Sequence, residues 1–239
     1  MKNLLEVLLT LLFSIGLLWS VDYVRKPNYE LFQRQTVRVE FINVESSKRA
    51  VLCSGVYLGG RRILTAGHCA KLVEDPDSRL AAYIRPFNSK QRIYAEFVRV
   101  EKRRNERGMP ISDIGLLRLD RPLRGVHAAS VSCRVPKLGE TLYAVGMPHG
   151  LPWTITKGTV TTWVPRIPGN AGRWLQLDMT IIGGNSGGPV FDRNGNVVGI
   201  VSHTLTKALG APTGHAYAVS SKIICEFLSE TTLPEVSDV

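Results

Sequence analysis

From about residue 36 onwards the sequence consists of short apolar stretches separated by turn residues, and this pattern limits the folds that the chain can adopt. Val37, Val39 and Phe41 alternate with charged residues, a period of two that is typical of a half-buried strand. Other stretches with the composition of strands lie at 51–57, 62–66, 92–100, 114–119, 140–146, 158–164, 174–177, 189–191, 197–203 and 215–219. Many short strands and few helices predict an all-β fold, either a sandwich or a barrel.

A clear helical pattern occurs near the end of the chain, at 220–228. Ser220 or Ser221 is suited to cap its N-terminus. Its apolar side consists of Ile223, Ile224 and Phe227. The 239 residues, of which 44% are hydrophobic, exclude a disordered or fibrous protein and are enough to form a buried core.

Residues 4–24 form a nearly continuous apolar stretch, about long enough to cross a hydrocarbon layer of about 30 Å as a helix. Small residues are poorly placed for signal cleavage, which favours an uncleaved membrane anchor over residues 1–26. A cleaved signal peptide and a buried N-terminal helix are the alternatives. Because Lys2 lies on one side and Arg25 and Lys26 on the other, the orientation stays open.

Three short segments carry residues suited to catalysis. His68 lies in TAGHC at 65–69, Asp113 enters an apolar strand in SDIGLL, and Ser186 lies in GNSGGPV. Each segment alone has a structural explanation: a histidine beside a strand, an aspartate that caps a turn, or a glycine-rich turn. Together they indicate a nucleophilic active site.

In this order, the three segments resemble the signatures of the chymotrypsin-like (trypsin-fold) serine proteases, and the resemblance covers about residues 36–228. LQLD at 175–178, GNSGGP in place of GDSGGP, and the segments at 146–150 and 157–160 are similar to the HtrA or Deg branch. TAGHC is closer to the trypsin branch. The chain ends soon after Leu228, so we expect no C-terminal PDZ domain.

The resemblance implies two six-stranded antiparallel Greek-key barrels with a C-terminal helix, preceded by the N-terminal hydrophobic helix. The expected order is a first barrel at about 36–120, a connector at 121–137, a second barrel at about 138–219 and a terminal helix at 220–228.

The implied activity is that of a serine endopeptidase acting on protein or peptide substrates. Ser186 would be the nucleophile, His68 the base, and Asp113 the residue that orients and stabilises the imidazole. The backbone N–H groups of Gly184 and Ser186 would form the oxyanion hole, and neither a metal nor a cofactor is expected. The alternative is a catalytically silent trypsin-fold binding module at a membrane or anionic surface.

One residue departs from the pattern of trypsin-like zymogens. In those zymogens an aspartate immediately precedes the serine, and this aspartate pairs with the new amino terminus that cleavage creates. Here Asn185 occupies that position. No IVGG-like start is present near Thr36 either. We therefore expect that no N-terminal activation cut is needed.

The four cysteines are too few for a fold built on disulfides, and none lies in a CxxC pair that would indicate zinc. The resemblance implies a disulfide between Cys53 and Cys69, and a second between Cys133 and Cys225. Because disulfides need an oxidising compartment, we expect a membrane-anchored protein outside the cytoplasm, with secretion after signal cleavage as the alternative.

Substrate selectivity is the least determined property. The resemblance implies a primary pocket lined by Thr180, Ser202, His203 and His215. Thr180 argues against a preference for Arg or Lys, which an aspartate would be needed to bind. The two histidines are compatible with a preference for acidic side chains, and the small polar and apolar residues of the pocket are compatible with small aliphatic ones. The remaining alternative is that both histidines are rim residues with no special role.

The formal net charge is +10, and residues 79–124 hold twelve Lys or Arg against five acids. Such an excess is compatible with an anionic partner or with an ordinary solvated surface. Aromatic residues are not interleaved with the basic run at 102–107, and no nucleic-acid-binding motif is present. Nucleic acid is therefore not an expected partner, and the oligomeric state is left open.

Overall fold

The structure is a computed structural model that describes residues 26–75, 77–167, 170–206 and 212–231. The predicted hydrophobic helix at 4–24 lies outside these ranges. Within them, no helix is long and apolar enough to cross a membrane.

Six antiparallel strands close into the first barrel in the order β1-β2-β3-β6-β5-β4. The strands are β1 (Thr36–Asn43), β2 (Arg49–Tyr57), β3 (Arg62–Thr65), β4 (Leu80–Arg85), β5 (Ile93–Val100) and β6 (Gly115–Leu119). Pairing between β1 and β4 closes this barrel.

The second barrel also has six antiparallel strands, in the order β10-β11-β12-β9-β8-β7. They are β7 (Thr141–Gly146), β8 (Thr154–Ile167), β9 (Asn170–Asp178), β10 (Pro189–Phe191), β11 (Val197–Thr206) and β12 (Pro212–Ser220). The predicted pair of six-stranded barrels is confirmed. The α-helices among the described residues are α1 (Tyr29–Gln35), α2 (Lys71–Glu74) and α3 (Ser221–Ser229), and two short 3-10 helices lie at Gly67–Ala70 and Pro148–Gly150.

Three of these elements, β4, α1 and α2, were not predicted from the sequence. Strand β4 contains two alanines, which have weak strand propensity, and it forms because it pairs with both β1 and β5. Helix α1 begins after Asn28, whose side chain accepts a hydrogen bond from the N–H of Leu31 at 3.0 Å. Helix α3 follows the prediction, although the side chain of Ser220 makes no capping bond.

The buried apolar side chains form three clusters. One fills the first barrel, with Val39, Phe41 and Ile63 among its members, and another fills the second barrel. The third draws Leu64 from the first barrel and Trp174 from the second, and therefore packs the barrels against each other.

Both implied disulfides are present. Cys53 of β2 bonds to Cys69 beside His68, and Cys133 of the connector bonds to Cys225 of α3. Their sequence separations are 16 and 92 residues. In the chain-entropy model, loops of these sizes correspond to stabilisation of about 3 and about 4–5 kcal/mol.

Helix α1 is fixed to the second barrel by aromatic packing. Phe32 is fully buried and stacks on Phe191, with ring centroids 4.9 Å apart. The ring of Phe32 also packs against that of Tyr143, with centroids 5.5 Å apart. The chain therefore enters β1 from an element that belongs to the core between the barrels.

We predict that Phe32→Ala lowers the free energy of unfolding by about 3–5 kcal/mol, because it removes a fully buried ring and leaves a cavity. Tyr29→Ala, on the same helix, is the control and should cost much less, since Tyr29 is 48% exposed. Urea denaturation followed by fluorescence measures both values. Equal losses for the two variants would contradict this account of α1.

Candidate active site

His68 lies in a short 3-10 turn, Gly67–Ala70, immediately after β3. Its backbone N–H donates to Asp113 Oδ1 at 2.6 Å, and its ring Nδ1 lies 2.7 Å from Asp113 Oδ2. A Cβ at Gly67 would lie 3.0 Å from the backbone N and O of Ile114, so a glycine permits the close approach of the two segments. The two oxygens of one carboxylate therefore hold both the backbone and the ring of His68.

Asp113 lies two residues before β6 and is only 7% exposed. Besides the contacts with His68, its Oδ2 accepts a hydrogen bond from the hydroxyl of Ser202 on β11. Burial by itself raises the pKa of Asp113, but the hydrogen bonds from His68 and Ser202 outweigh burial and hold that pKa below its usual range. The carboxylate is therefore ionised at neutral pH.

This ionised carboxylate determines which nitrogen of the His68 ring carries the proton. A carboxylate only accepts hydrogen bonds, so the 2.7 Å contact requires the hydrogen on Nδ1. In the neutral ring, Nε2 is then left with a free lone pair. His68 is thus prepared to take a proton at Nε2.

Ser186 lies in the turn between β9 and β10, which packs against the segment that leads to His68. Gly187 has a φ of +81°, and a Cβ there would lie 2.1 Å from Thr65 Oγ1 and 2.7 Å from the N of Ala66. In addition, the N–H of Ser54 on β2 donates to the carbonyl of Ser186 at 2.7 Å. The turn of the second barrel is therefore fixed directly onto the first.

The peptide bond between Gly183 and Gly184 has a fixed direction. The carbonyl of Gly183 accepts from the N–H of His149 at 2.8 Å. In a trans peptide the carbonyl and the following N–H point in opposite directions, so the Gly184 N–H points away from His149. Over the described part of the chain, neither the Gly184 N–H nor the Ser186 N–H donates to a protein acceptor. Both remain available to an external oxyanion.

Two residues that sequence reasoning missed hold this turn. Ser54 is fully buried; its hydroxyl donates to the carbonyl of Gly184 at 2.7 Å and accepts from the N–H of Met147 at 3.2 Å. His149 contributes its backbone N–H and adopts a left-handed φ of 49°. The segment at 146–150, which contains His149, was noted for its similarity to the HtrA or Deg branch, but nothing in the sequence indicated the contacts of Ser54 or His149.

Ser202 and His203, which are expected to line the primary pocket, lie against the catalytic candidates. A register shift between Val201 and His203 leaves Ser202 without a partner residue on β12, and bulges of this kind redirect side chains. The Ser202 hydroxyl contacts both Asp113 and the Nδ1 of His203. The His203 ring centroid lies 5.8 Å from that of His68. Ser202 therefore supports Asp113, and its expected place in the primary pocket stays a prediction.

The other two expected pocket residues are placed apart from this group. Thr180 is exposed and follows the end of β9. His215 is exposed on β12, opposite Asp178 of β9, with its Nδ1 3.5 Å from Gln176 Nε2. Of the four expected pocket residues, Thr180 and His215 thus lie near the paired strands β9 and β12, and Ser202 and His203 lie near Asp113 and His68.

Cys53, His68 and Cys69 place potential metal-ligand atoms within 4.8 Å of one another. Both cysteines are in the disulfide, however, and metal binding by cysteine requires a thiolate. This cluster does not fit a metal site.

We predict that His203 makes stability pH-dependent. Burial lowers the pKa of His203 below about 6.5, the usual pKa of an exposed histidine. Below about pH 6.5 the unfolded chain therefore binds a proton at this residue more readily than the folded chain does, and protonation favours unfolding. The free energy of unfolding should fall as the pH decreases from about 7 to about 5, and His203→Asn should reduce this fall. Urea denaturation at both pH values measures it.

The matched control for this prediction is His127→Asn, which makes the same substitution at an exposed histidine and serves as the reference for the pH dependence. A His203→Asn variant with the full wild-type pH dependence would show that His203 is not the group responsible.

The sequence matches the family described as "Trypsin-like peptidase domain" over residues 53–200. A probable periplasmic serine endoprotease DegP-like from Marinomonas sp. is 34% identical over 115 residues, which are 48% of this chain and 24% of that protein. The chain therefore spans about a quarter of the length of this relative.

Solved structures share the fold. The Rv3671c protease from M. tuberculosis, in its active form, has a TM-score of 0.66 at 18% identity, covering 88% of this chain and 87% of that chain. The serine endoprotease from Yersinia pestis has a TM-score of 0.63 at 22% identity, and the match covers 84% of this chain and 65% of that chain. The chain belongs to the trypsin-like peptidase domain family, and DegP-like serine endoproteases are among its relatives.

Proposed function

We propose that the chain is a serine endopeptidase that hydrolyses peptide bonds through His68, Asp113 and Ser186. The observation that carries the proposal is the two-point attachment of His68 to Asp113, at 2.6 and 2.7 Å. It leaves Nε2 to take the proton of the Ser186 hydroxyl as that oxygen attacks the substrate carbonyl. His68 then returns the proton to the leaving amine, and water hydrolyses the acyl-enzyme in the same manner.

The proposed oxyanion hole consists of the N–H groups of Gly184 and Ser186. Its support is the contact from His149 to the carbonyl of Gly183, which orients the Gly184 N–H, and the absence of a protein acceptor for either group among the described residues. Donors fixed before the reaction stabilise the negative charge that develops on the carbonyl oxygen of the substrate.

We also propose that no N-terminal activation cut is needed. Asn185 is 5% exposed, and its neutral amide cannot form an ion pair with a new amino terminus. The preceding turn is attached within the chain instead, by Ser54 to Gly184 and by His149 to Gly183. The intact chain should accordingly react with a serine-directed fluorophosphonate, and a requirement for prior limited proteolysis would contradict this.

The proposed location is outside the cytoplasm. The DegP-like relative is periplasmic by name, and the two disulfides suit an oxidising compartment. Residues 1–26 are proposed to anchor the chain in a membrane, with secretion after cleavage as the alternative. The proposed substrates are proteins or peptides.

Nucleic acid is not a proposed partner. Part of the basic excess of the first barrel is paired with acids, as in Arg118 with Glu96 and Arg103 with Glu101. The proposed primary pocket consists of Thr180, Ser202, His203 and His215. Because Thr180 stands where an aspartate would be needed to bind Arg or Lys, we expect no preference for basic side chains, and a cleavage profile on a peptide library measures this preference directly.

We predict that Ser186→Ala abolishes peptide cleavage and fluorophosphonate labelling while the protein remains folded, because the nucleophile is lost. Ser229→Ala on α3, far along the chain from the site, is the matched control and should keep both activities. Cleavage that persists in purified Ser186→Ala, or no cleavage by the wild type, would favour the silent binding module.

We predict that Ser54→Ala lowers kcat by about 10- to 100-fold, with a smaller effect on KM, because the carbonyl of Gly184 loses its donor and the oxyanion donors lose their alignment. Ser112→Ala is the matched control, since the Ser112 hydroxyl is also buried but has no hydrogen-bond partner among the described residues. Equal kcat values for the two variants would show that Ser54 does not position the turn.

A further inference from the structure

Four arginines surround one buried carboxylate on the outside of the first barrel. Glu40 of β1 is fully buried, and its Oε2 lies 2.6 Å from Arg92 Nε. Its Oε1 lies 3.7 Å from Nη1 of Arg38, 3.7 Å from Nη1 of Arg49 and 3.9 Å from Nη1 of Arg85. We name these five residues the Glu40 cluster.

The charges of the Glu40 cluster are not balanced. Arg38 of β1 is directly opposite Arg85 of β4, and like charges at opposite positions of a sheet destabilise it. Among the described residues, none of the four arginines forms an ion pair with any acid except Glu40. Four guanidinium groups around one carboxylate leave an excess of three positive charges.

The environment of Arg38 shows the effect of this excess. Burial, followed by the neighbouring charges of Arg85 and Arg49, lowers the pKa of Arg38, although Glu40 opposes the change. Arg38 is 7% exposed, and its Nε has no hydrogen-bond partner among the described residues. The cluster therefore contains an incompletely satisfied buried cation.

Arg38 is buried, whereas the other three arginines of the Glu40 cluster are partly exposed to solvent. Arg38 is directed inward, with its guanidinium carbon 5.0 Å from the ring centroid of Trp153 in the second barrel. The side chains of Arg49, Arg85 and Arg92 are 41%, 30% and 48% exposed. These three guanidinium groups thus form a cationic rim that solvent reaches, with Glu40 buried beneath it.

We propose that Arg49, Arg85 and Arg92 bind a tetrahedral oxyanion of the phosphate or sulfate type, either as a free ion or as a phospholipid headgroup. Guanidinium groups offer forked N–H donors that match such oxyanions, and a dianion compensates most of the excess charge. The site is on the outside of the first barrel, and its occupancy does not depend on the proposed proteolysis.

The direct test is thermal unfolding of the full chain in sulfate compared with sodium chloride of equal ionic strength. At about ten times the dissociation constant, sulfate should raise the Tm by about 3–5 °C more than chloride does. Arg49→Gln/Arg92→Gln should lose this difference. Arg107→Gln/Arg124→Gln, which removes the same charge from exposed arginines, is the matched control and should keep it.

A second variant separates an anion site from an internal ion-pair network. Glu40→Gln removes the only acid of the cluster, so it should lower the Tm in chloride and increase the stabilisation by sulfate above that of the wild type. A wild-type response no larger than that of Arg49→Gln/Arg92→Gln would overturn the proposal. So would a Glu40→Gln variant that sulfate does not stabilise.

Vesicle binding distinguishes the two sources of the oxyanion. Sedimentation with vesicles of phosphatidylcholine and phosphatidic acid, compared with phosphatidylcholine alone, measures headgroup binding. Preferential binding that is lost in Arg49→Gln/Arg92→Gln assigns the site to a headgroup. A sulfate response without vesicle binding assigns it to a free ion.

Discussion

The arrangement of the site depends on the hydrogen bonds that the carboxylate of Asp113 accepts. From the first barrel it accepts hydrogen bonds from the backbone N–H and the ring Nδ1 of His68, and from the second barrel it accepts one from the hydroxyl of Ser202. An ion that is 7% exposed is stable only where such donors replace the lost water. The same contacts therefore satisfy a buried charge, orient His68 and join the barrels at the site.

A second set of contacts joins the barrels around Ser186. Ser54 of the first barrel binds Ser186 through its N–H and Gly184 through its hydroxyl. The apolar cluster between the barrels, with Leu64 and Trp174 among its members, keeps these partners in register. The proposed catalysis consequently depends on how the two barrels pack, since neither barrel alone contains His68 and Ser186.

The sequence was most informative where a motif reflects a local backbone requirement. Gly67 and Gly187 allow two segments to approach more closely than a side chain permits. They belong to TAGHC and GNSGGP, whose resemblance to the chymotrypsin-like serine proteases implied the two-barrel fold and the candidate residues. Contacts between distant segments gave no such pattern. The contact of Ser202 with Asp113 was not predicted, because the bulge in β11 that redirects Ser202 is not visible in the sequence. Strand β4 was missed because pairing overrides the weak propensity of its alanines.

The proposed activity depends on one step above all, the orientation of His68 by an ionised Asp113 for proton transfer from Ser186. The most direct measurement is the rate of fluorophosphonate modification of Ser186, identified by mass spectrometry, in the wild type and in folded Asp113→Asn. We predict modification at Ser186, with a rate at least about 1000-fold lower in Asp113→Asn, because the wrong tautomer of His68 is then favoured. Equal rates in the two proteins, or modification of a different residue, would contradict it.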